Sequence, residues 1–321
     1  MHMIVKNMLS FLLSMVLTVV LTPLLIKFYR KRNQGQMIRE KGPEWQVAKN
    51  GTPTMGGLVF VCTVIFSSMF TNIVFHITGV TVEICCAFLL FGLIGYIDDS
   101  IKLKKKRNMG LHAWQKASLQ VVAAFLFAFG YWHAGFPLSV TIFGQQIQLG
   151  MLYILFIVFW LVGFSNAVNL TDGIDGLVAG QAAIAFAMYA FLAYHQDQFG
   201  IMLFCVAVVG ALVGFLIFNH NPAKIFMGDM GSLALGGALA AVAFLLQHPF
   251  SLLFIGIIFV IETATVIIQV TYYHRTGKRL FKMTPIHHQF EMDGWNEWKI
   301  DTVFWLVGAV VGVVTLVVII W

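Results

Sequence analysis

Run after run of this chain is apolar for longer than a bilayer is thick. These runs recur from residue 4 to residue 320 with only short polar breaks, and 59% of the 321 residues are hydrophobic against 11% charged. A helix needs about 20 predominantly apolar residues to cross the hydrocarbon core. In lipid only helices and closed barrels satisfy every backbone polar group. Spanning strands would alternate over about ten residues, whereas these runs are continuous. The sequence therefore predicts an all-α polytopic membrane protein, with residues 1–321 forming a single integral membrane domain. The first run carries Thr22-Pro23 and no small-residue cleavage pattern, so it reads as a retained span.

Ten transmembrane helices are expected, at roughly 4–28, 54–75, 80–97, 114–132, 151–168, 177–194, 200–218, 230–247, 250–272 and 302–320. Between the fourth and fifth, residues 138–149 alternate polar and apolar around Gly144-Gln145, the pattern of a small β-hairpin. The four cysteines, in or beside apolar runs and without metal-ligand spacing, read as buried free thiols. Of the 20 Lys and Arg residues, all but Lys6 fall in segments 27–50, 98–116, 219–228 and 273–301. With ten spans these segments share one side. The positive-inside bias makes that side cytoplasmic, the hairpin external and both termini outside.

That orientation gives the acidic residues meaning. Asp98, Asp99, Asp172, Asp175 and Asp229 all map to the cytoplasmic mouth, as do His287 and His288. Independent solvated loops would scatter such groups over both faces. Their convergence points to one site near the lipid headgroups, since polar density in a membrane chain marks function. Asp98 and Asp99 close the third span, where a helix C-terminus is already partly negative. Lys102, Lys104, Lys105, Lys106 and Arg107, or a divalent cation, are the candidates to compensate them.

In NAVNLTDGIDG (166–176), Asn166, Asn169, Asp172 and Asp175 recur every three residues and would crowd one face of a helix. Capping of the sixth span by Thr171 or Asp172 explains one of them, not four. In NHNPAKIFMGDMGS (219–232), Asp229 lies between two glycines at a helix start. It too can be a plain cap. A helix N-terminus also favours phosphate, and magnesium commonly takes one or two carboxylates plus substrate phosphates and water. His287 and His288 lack zinc spacing; they are either solvated or donors to a phosphate. Glu262, inside the ninth span, requires a partner that the sequence does not name. The glycines and Pro53 after Lys49 suggest a tight, re-entrant entry into the membrane. The basic runs at Arg30–Arg32 and Lys104–Arg107 read as headgroup contacts that set topology, and no nucleic-acid partner is expected. From residues alone, the chain is an integral membrane enzyme that binds magnesium and a phosphorylated ligand.

Five motifs taken together resemble one family. GTPTMGG (51–57), GYIDD (95–99), NAVNLTDGIDG, FMGDMGS (226–232) and MTPIHHQFE (283–291) stand in the order of the phospho-N-acetylmuramoyl-pentapeptide transferases. The resemblance covers nearly the whole chain. It implies transfer of phospho-N-acetylmuramoyl-pentapeptide from its UDP carrier to undecaprenyl phosphate, forming lipid I and releasing UMP at a bacterial plasma membrane. It implies Mg2+ with Asp229 as ligand, Asp98 as the base with Asp99 beside it, and His287 as an essential loop residue. It places Asn169, Asp172, Asp175, Phe226, Gln269 and His288 at a nucleoside pocket, and Lys49, Thr54 and Asn219 at further active-site positions. It also implies a bent ninth span framing a prenyl groove, and a homodimer. One departure is Gln289, where the family commonly has a third histidine; glutamine hydrogen-bonds but does not titrate.

Three rival readings are weaker. A sister transferase using UDP-N-acetylglucosamine would share the aspartate motifs but not the PIHHQFE loop. A transporter would place its carboxylates near the midplane of paired halves, and here they gather at one mouth. A non-catalytic scaffold would tolerate alanine at Asp98, Asp172 and Asp229.

Overall fold

The structure, a computed structural model, describes residues 2–32, 35, 49, 51–77, 80–105, 109–142 and 145–321. Lys106, Arg107, Gly144 and most of the basic segment 33–48 lie outside the described residues. The described chain is all-α apart from one hairpin. Twelve α-helices run as α1 (His2–Lys31), α2 (Gly57–Val74), α3 (Thr81–Lys105), α4 (Ala113–His133), α5 (Leu152–Thr171), α6 (Leu177–His195), α7 (Phe199–Asn219), α8 (Gly228–Leu245), α9 (Leu252–Ile255), α10 (Ile257–Thr276), α11 (Ile286–Met292) and α12 (Glu297–Ile320). Strands β1 (Ser139–Ile142) and β2 (Gln145–Gln148) pair antiparallel, Ser139 opposite Gln148 and Ile142 opposite Gln145, as the alternating pattern predicts.

Nine of the described helices are long and apolar enough to cross a membrane. Each of the ten expected spans falls on a helix, the ninth on the broken pair α9 and α10, and the one that fails the apolarity test is α4. Gln115, Lys116, Ser118 and Gln120 dilute its first turns. It nonetheless runs the length of α8. Lys116 meets Asp229 at one end, and Tyr131 meets Gln247 and the Phe244 ring at the other.

Two boundaries differ from expectation. The third span does not stop at residue 97: α3 continues through Asp98 and Asp99 to Lys105. Its last turn, rich in lysine, suits the negative end of the helix dipole. The ninth is broken. A short 3-10 turn at Pro249–Ser251 and the single turn α9 come first, and Gly256 interrupts the path before α10. All four cysteines are free, but Cys62 and Cys86 face outward rather than being buried.

Helix α8 is the axis of the bundle. Of its spanning window 89% is buried, against 28% for α1 and 22% for each of α10 and α12. Helices α2, α3, α5 and α6 pack around it. Helix association in lipid depends on close packing of small residues, and α8 reads GDMGSLALGGALAAVAFL. A methyl on Gly95 of α3 would lie 2.2 Å from the Asp229 carbonyl oxygen, one on Gly57 of α2 2.3 Å from the Gly231 nitrogen, and one on Gly236 2.3 Å from the Phe164 carbonyl oxygen of α5. Three neighbours thus meet α8 backbone to backbone. Gly95→Ala is expected to lower stability by roughly 1–3 kcal/mol through overpacking, measured as thermal unfolding in detergent. Gly130→Ala, whose new methyl would meet only the Glu83 side chain at 4.0 Å, is expected to leave it unchanged.

Candidate active site

The crossing of α3 and α8 brings three carboxylates together. Asp98, Asp99 and Asp229 each offer an oxygen within 4.8 Å of the others. Asp98 and Asp99 are buried, and Asp229 is half-buried. The capping alternative for Asp229 does not hold: Met227 is the cap residue, and no side chain caps the helix through it. Asp229 instead accepts hydrogen bonds from Lys116 at 2.6 Å and from the Asn169 amide at 3.2 Å. Asp99 does the capping from across the interface, accepting the Met230 N–H at 3.1 Å. It satisfies one of the orphan donors of the α8 N-terminus and places negative charge where the dipole favours it. Asp98 accepts the Leu111 N–H at 2.8 Å.

The cluster is built for a cation. Lys102 Nζ stands 2.6 Å from Asp98, 3.5 Å from Asp99 and 3.1 Å from Asp229, so an ammonium already bridges all three. Oxygen donors of this kind suit a hard divalent ion. The residues present therefore fit a metal, and Lys102 and the metal would compete for the same oxygens.

A second polar centre adjoins the first. Lys49 pairs with Asp175 at 2.7 Å and with Glu297 at 2.7 Å. Burial opposes its charge, but Asp175 and Glu297 outweigh this and hold its pKa above the usual lysine value. Asp175 also accepts from the Asn221 amide and the Ala223 N–H, and the Asp175 N–H donates to Glu297. The expected one-face array of Asn166, Asn169, Asp172 and Asp175 does not form. Helix α5 ends at Thr171 and the chain turns, with Gly176 at φ 86° preceding α6. Asn166 donates to Gln120 of α4, Asn169 to Asp229 and Ser232, and Asp175 faces Lys49. Asp172 caps the end of α5 rather than the start of α6. Burial raises its pKa well above the usual carboxylate range, and Asp229, Asp99 and Asp175 add to the shift.

The histidine loop forms the third part. His287 is buried in α11 and His288 nearly so. His288 Nδ1 lies 2.6 Å from Glu291; burial lowers its pKa, and Glu291 opposes this. A methyl on Gly173 would lie 2.3 Å from His287 Nε2 and 3.3 Å from His288 Nε2, so both rings press on the Asp172–Gly173 turn.

The other expected residues have mainly scaffolding contacts. Thr54 is buried, its hydroxyl 3.1 Å from where a methyl on Gly228 would stand. The GTPTMGG segment lies along FMGDMGS rather than forming a re-entrant loop: Phe226 N–H donates to Pro53 O, Gly56 N–H to Phe226 O, and Gly57 N–H to Met227 O. Asn219 holds the following loop by donating to Ile225 O. Gln269 accepts the Leu280 and Phe281 N–H groups and bonds nothing in the carboxylate cluster. Lys116 and Glu297 were not singled out from the sequence as site residues. A lone lysine within an otherwise apolar fourth run is the signal for the first.

A bundle of membrane helices that closes a metal-capable carboxylate cluster at one end defines an integral membrane protein with a candidate cation site. In agreement, the Glycosyl transferase family 4 pattern matches residues 81–247, and the phospho-N-acetylmuramoyl-pentapeptide-transferase signature 1 matches residues 49–61. The phospho-N-acetylmuramoyl-pentapeptide-transferase of Lactiplantibacillus plantarum is 57% identical over 300 residues, 93% of this chain and 94% of the relative. Those of Limosilactobacillus fermentum and Enterococcus hirae are 55% identical over 294 residues and 50% identical over 296 residues, covering 91% and 92% of both chains. The chain belongs to the phospho-N-acetylmuramoyl-pentapeptide-transferase family. It is a multi-pass membrane transferase of peptidoglycan synthesis that forms lipid I.

Two outcomes test the site's electrostatics. Lys102→Met is expected to bind Mn2+ more tightly than the wild type, read by the loss of the free-ion EPR signal in a titration without substrate. The raised pKa of Asp172 means the folded state keeps a proton that the unfolded state loses above about pH 4, so this group's contribution to stability falls as pH rises. The Asp172→Asn variant mimics the protonated form. Its unfolding temperature, relative to wild type, is expected to rise between pH 4 and pH 7.

Proposed function

We infer that the protein transfers phospho-N-acetylmuramoyl-pentapeptide from UDP to undecaprenyl phosphate with magnesium held by Asp229, beside Asp98 and Asp99. The observation that carries this reading is the Asp98–Asp99–Asp229 cluster, bridged by Lys102 and flanked by Lys116. A nonbridging oxygen of the lipid phosphate forms a bond to the sugar-bearing phosphorus. The anhydride bond breaks, and UMP leaves with the electron pair. Such a reaction needs positioning and charge neutralisation more than covalent chemistry. When bound, magnesium offsets pyrophosphate charge and stabilises the departing phosphate.

Asp229 is the principal metal ligand in this reading. Asp98 takes any proton remaining on the attacking lipid phosphate, and Asp99 fixes the helix end that carries Asp229. Asn169 and Lys116 hold the Asp229 carboxylate, and Lys116 also lies within reach of a bound phosphate. Asn169, Asp172, Asp175, Phe226 and His288 shape the nucleoside side, with Gln269 bracing the loop at Leu280 and Phe281. Lys49, Thr54 and Asn219 complete the site, and His287 faces the Asp172–Gly173 turn beside His288. The outward face of α10, with Ile267, Ile268 and Val270 exposed, suits the prenyl tail. The charge distribution supports a cytoplasmic site, with both termini outside, in a single membrane domain. A homodimer follows from family resemblance alone.

Purified protein with UDP-N-acetylmuramoyl-pentapeptide and undecaprenyl phosphate is expected to release UMP only with magnesium. Asp229→Ala is expected to cut turnover by about 100-fold or more, the scale of losing a central electrostatic element. UMP release from UDP-N-acetylglucosamine alone would assign the protein to the sister chemistry and overturn this reading.

A further inference from the structure

Glu262 is the one carboxylate in the interior of α10, and it is 0% exposed. Most of α10 faces outward. Only Ile258, Phe259, Glu262 and Thr265, at helical spacing, turn in. An ionised carboxylate there carries a desolvation cost of several kcal/mol unless it is paired. Its neighbour is His287, also 0% exposed and carried by α11. Glu262 Oε2 lies 3.1 Å from His287 Nδ1, and the His287 backbone N–H approaches the same oxygen at 3.5 Å. The Nδ1 contact is at ion-pair distance without hydrogen-bond alignment, and Glu262 Oε1 and His287 Nε2 have no hydrogen-bond partner among the described residues. The far edge of the imidazole presses on Gly173, beside Asp172.

We propose that Glu262 is the positioning residue for His287. An ionised carboxylate only accepts hydrogen bonds, so the ring nitrogen facing it carries the proton. Glu262 therefore fixes His287 as the Nδ1–H tautomer and leaves Nε2 directed at the Asp172–Gly173 turn. There it is an acceptor when the ring is neutral and a donor when it is charged. The partner on one ring nitrogen sets the role of the other, as carboxylates do for metal-bound and catalytic histidines. Gly173 is required because any side chain would occupy the space of Nε2. The inference rests on the reading of His287 as a site residue, but the tautomer itself is testable without it.

The experiment is 15N NMR of protein labelled at histidine, in detergent, with the His287 signals assigned by their loss in His287→Gln. Wild type is expected to show protonated Nδ1 and bare Nε2 in the neutral ring. Glu262→Ala is expected to release the tautomer, with the proton moving largely to Nε2. Glu262→Gln, whose amide oxygen still accepts from Nδ1–H, is expected to restore it. Unfolding temperatures for all three separate a fold defect from a ring effect, and Glu262→Met, which removes the acceptor but keeps the side-chain bulk, serves if Glu262→Ala does not fold. In turnover, Glu262→Ala is expected to lose most of what His287→Ala loses, and the double variant to lose no more than His287→Ala alone, because residues acting through one contact are non-additive. An Nδ1-bare, Nε2–H ring in wild type, or a tautomer unchanged in Glu262→Ala, would overturn the proposal. Full turnover in His287→Ala with the tautomer shift intact would instead remove His287 from the chemistry and leave the pairing standing.

Discussion

The approach of Gly95 to the Asp229 carbonyl, close enough that a methyl at Gly95 would clash with that oxygen, decides where the carboxylate cluster sits. Side chains of ordinary size would hold two helices 8–10 Å apart. Glycine lets α3 and α8 meet at the backbone, and the carboxylates one turn further along α3 then arrive at the start of α8. Asp99 caps α8 across the interface. The contact that builds the bundle is thus also the contact that assembles the cluster. Helix α8, buried along its length, fixes that geometry from the centre of the protein.

Charge balance explains the rest of the arrangement. Three carboxylates at one point repel one another and are tolerable only beside cations. Lys102 reaches back from the last turn of α3, and Lys116 reaches across from the first turn of α4. A similar balance recurs around Lys49, which holds Asp175 and Glu297 together and ties α12 to the α5–α6 junction. Asp172 lies at the seam, near enough to Asp229, Asp99 and Asp175 to feel all three. Its turn also receives the histidine loop. Elements far apart in sequence are therefore joined by polar contacts at one end of a bundle that is otherwise held by apolar packing.

Much of this was legible in the sequence because the bilayer imposes a strong rule. Continuous apolar runs marked the spans, the hairpin showed in its alternation, and the aspartate motifs marked the end of the bundle where the carboxylates gather. The failures have physical causes. Asp98 and Asp99 looked like a helix terminus because lysines follow them, but those lysines complete a helix that runs to Lys105. The three-residue spacing from Asn166 to Asp175 suggested one face, but the helix ends at Thr171 and the turn sends Asp175 to another partner. Lys116 reads only as the end of the basic segment 98–116 that sets topology, and Glu297 stands in a charged loop with no motif around it. The partner of Glu262 lies 25 residues away on a different helix, a pairing that no local pattern encodes.

The gathering of carboxylates from α3 and α8 points to one metal centre that engages the substrate phosphates. The direct measurement is electron–nuclear double resonance with Mn2+ in place of magnesium and UDP-N-acetylmuramoyl-pentapeptide bound. A 31P coupling between the ion and the pyrophosphate is expected in wild type, abolished in Asp229→Ala and weakened in Asp98→Ala. An ion bound without any 31P coupling, or a coupling that survives Asp229→Ala unchanged, would contradict this assignment.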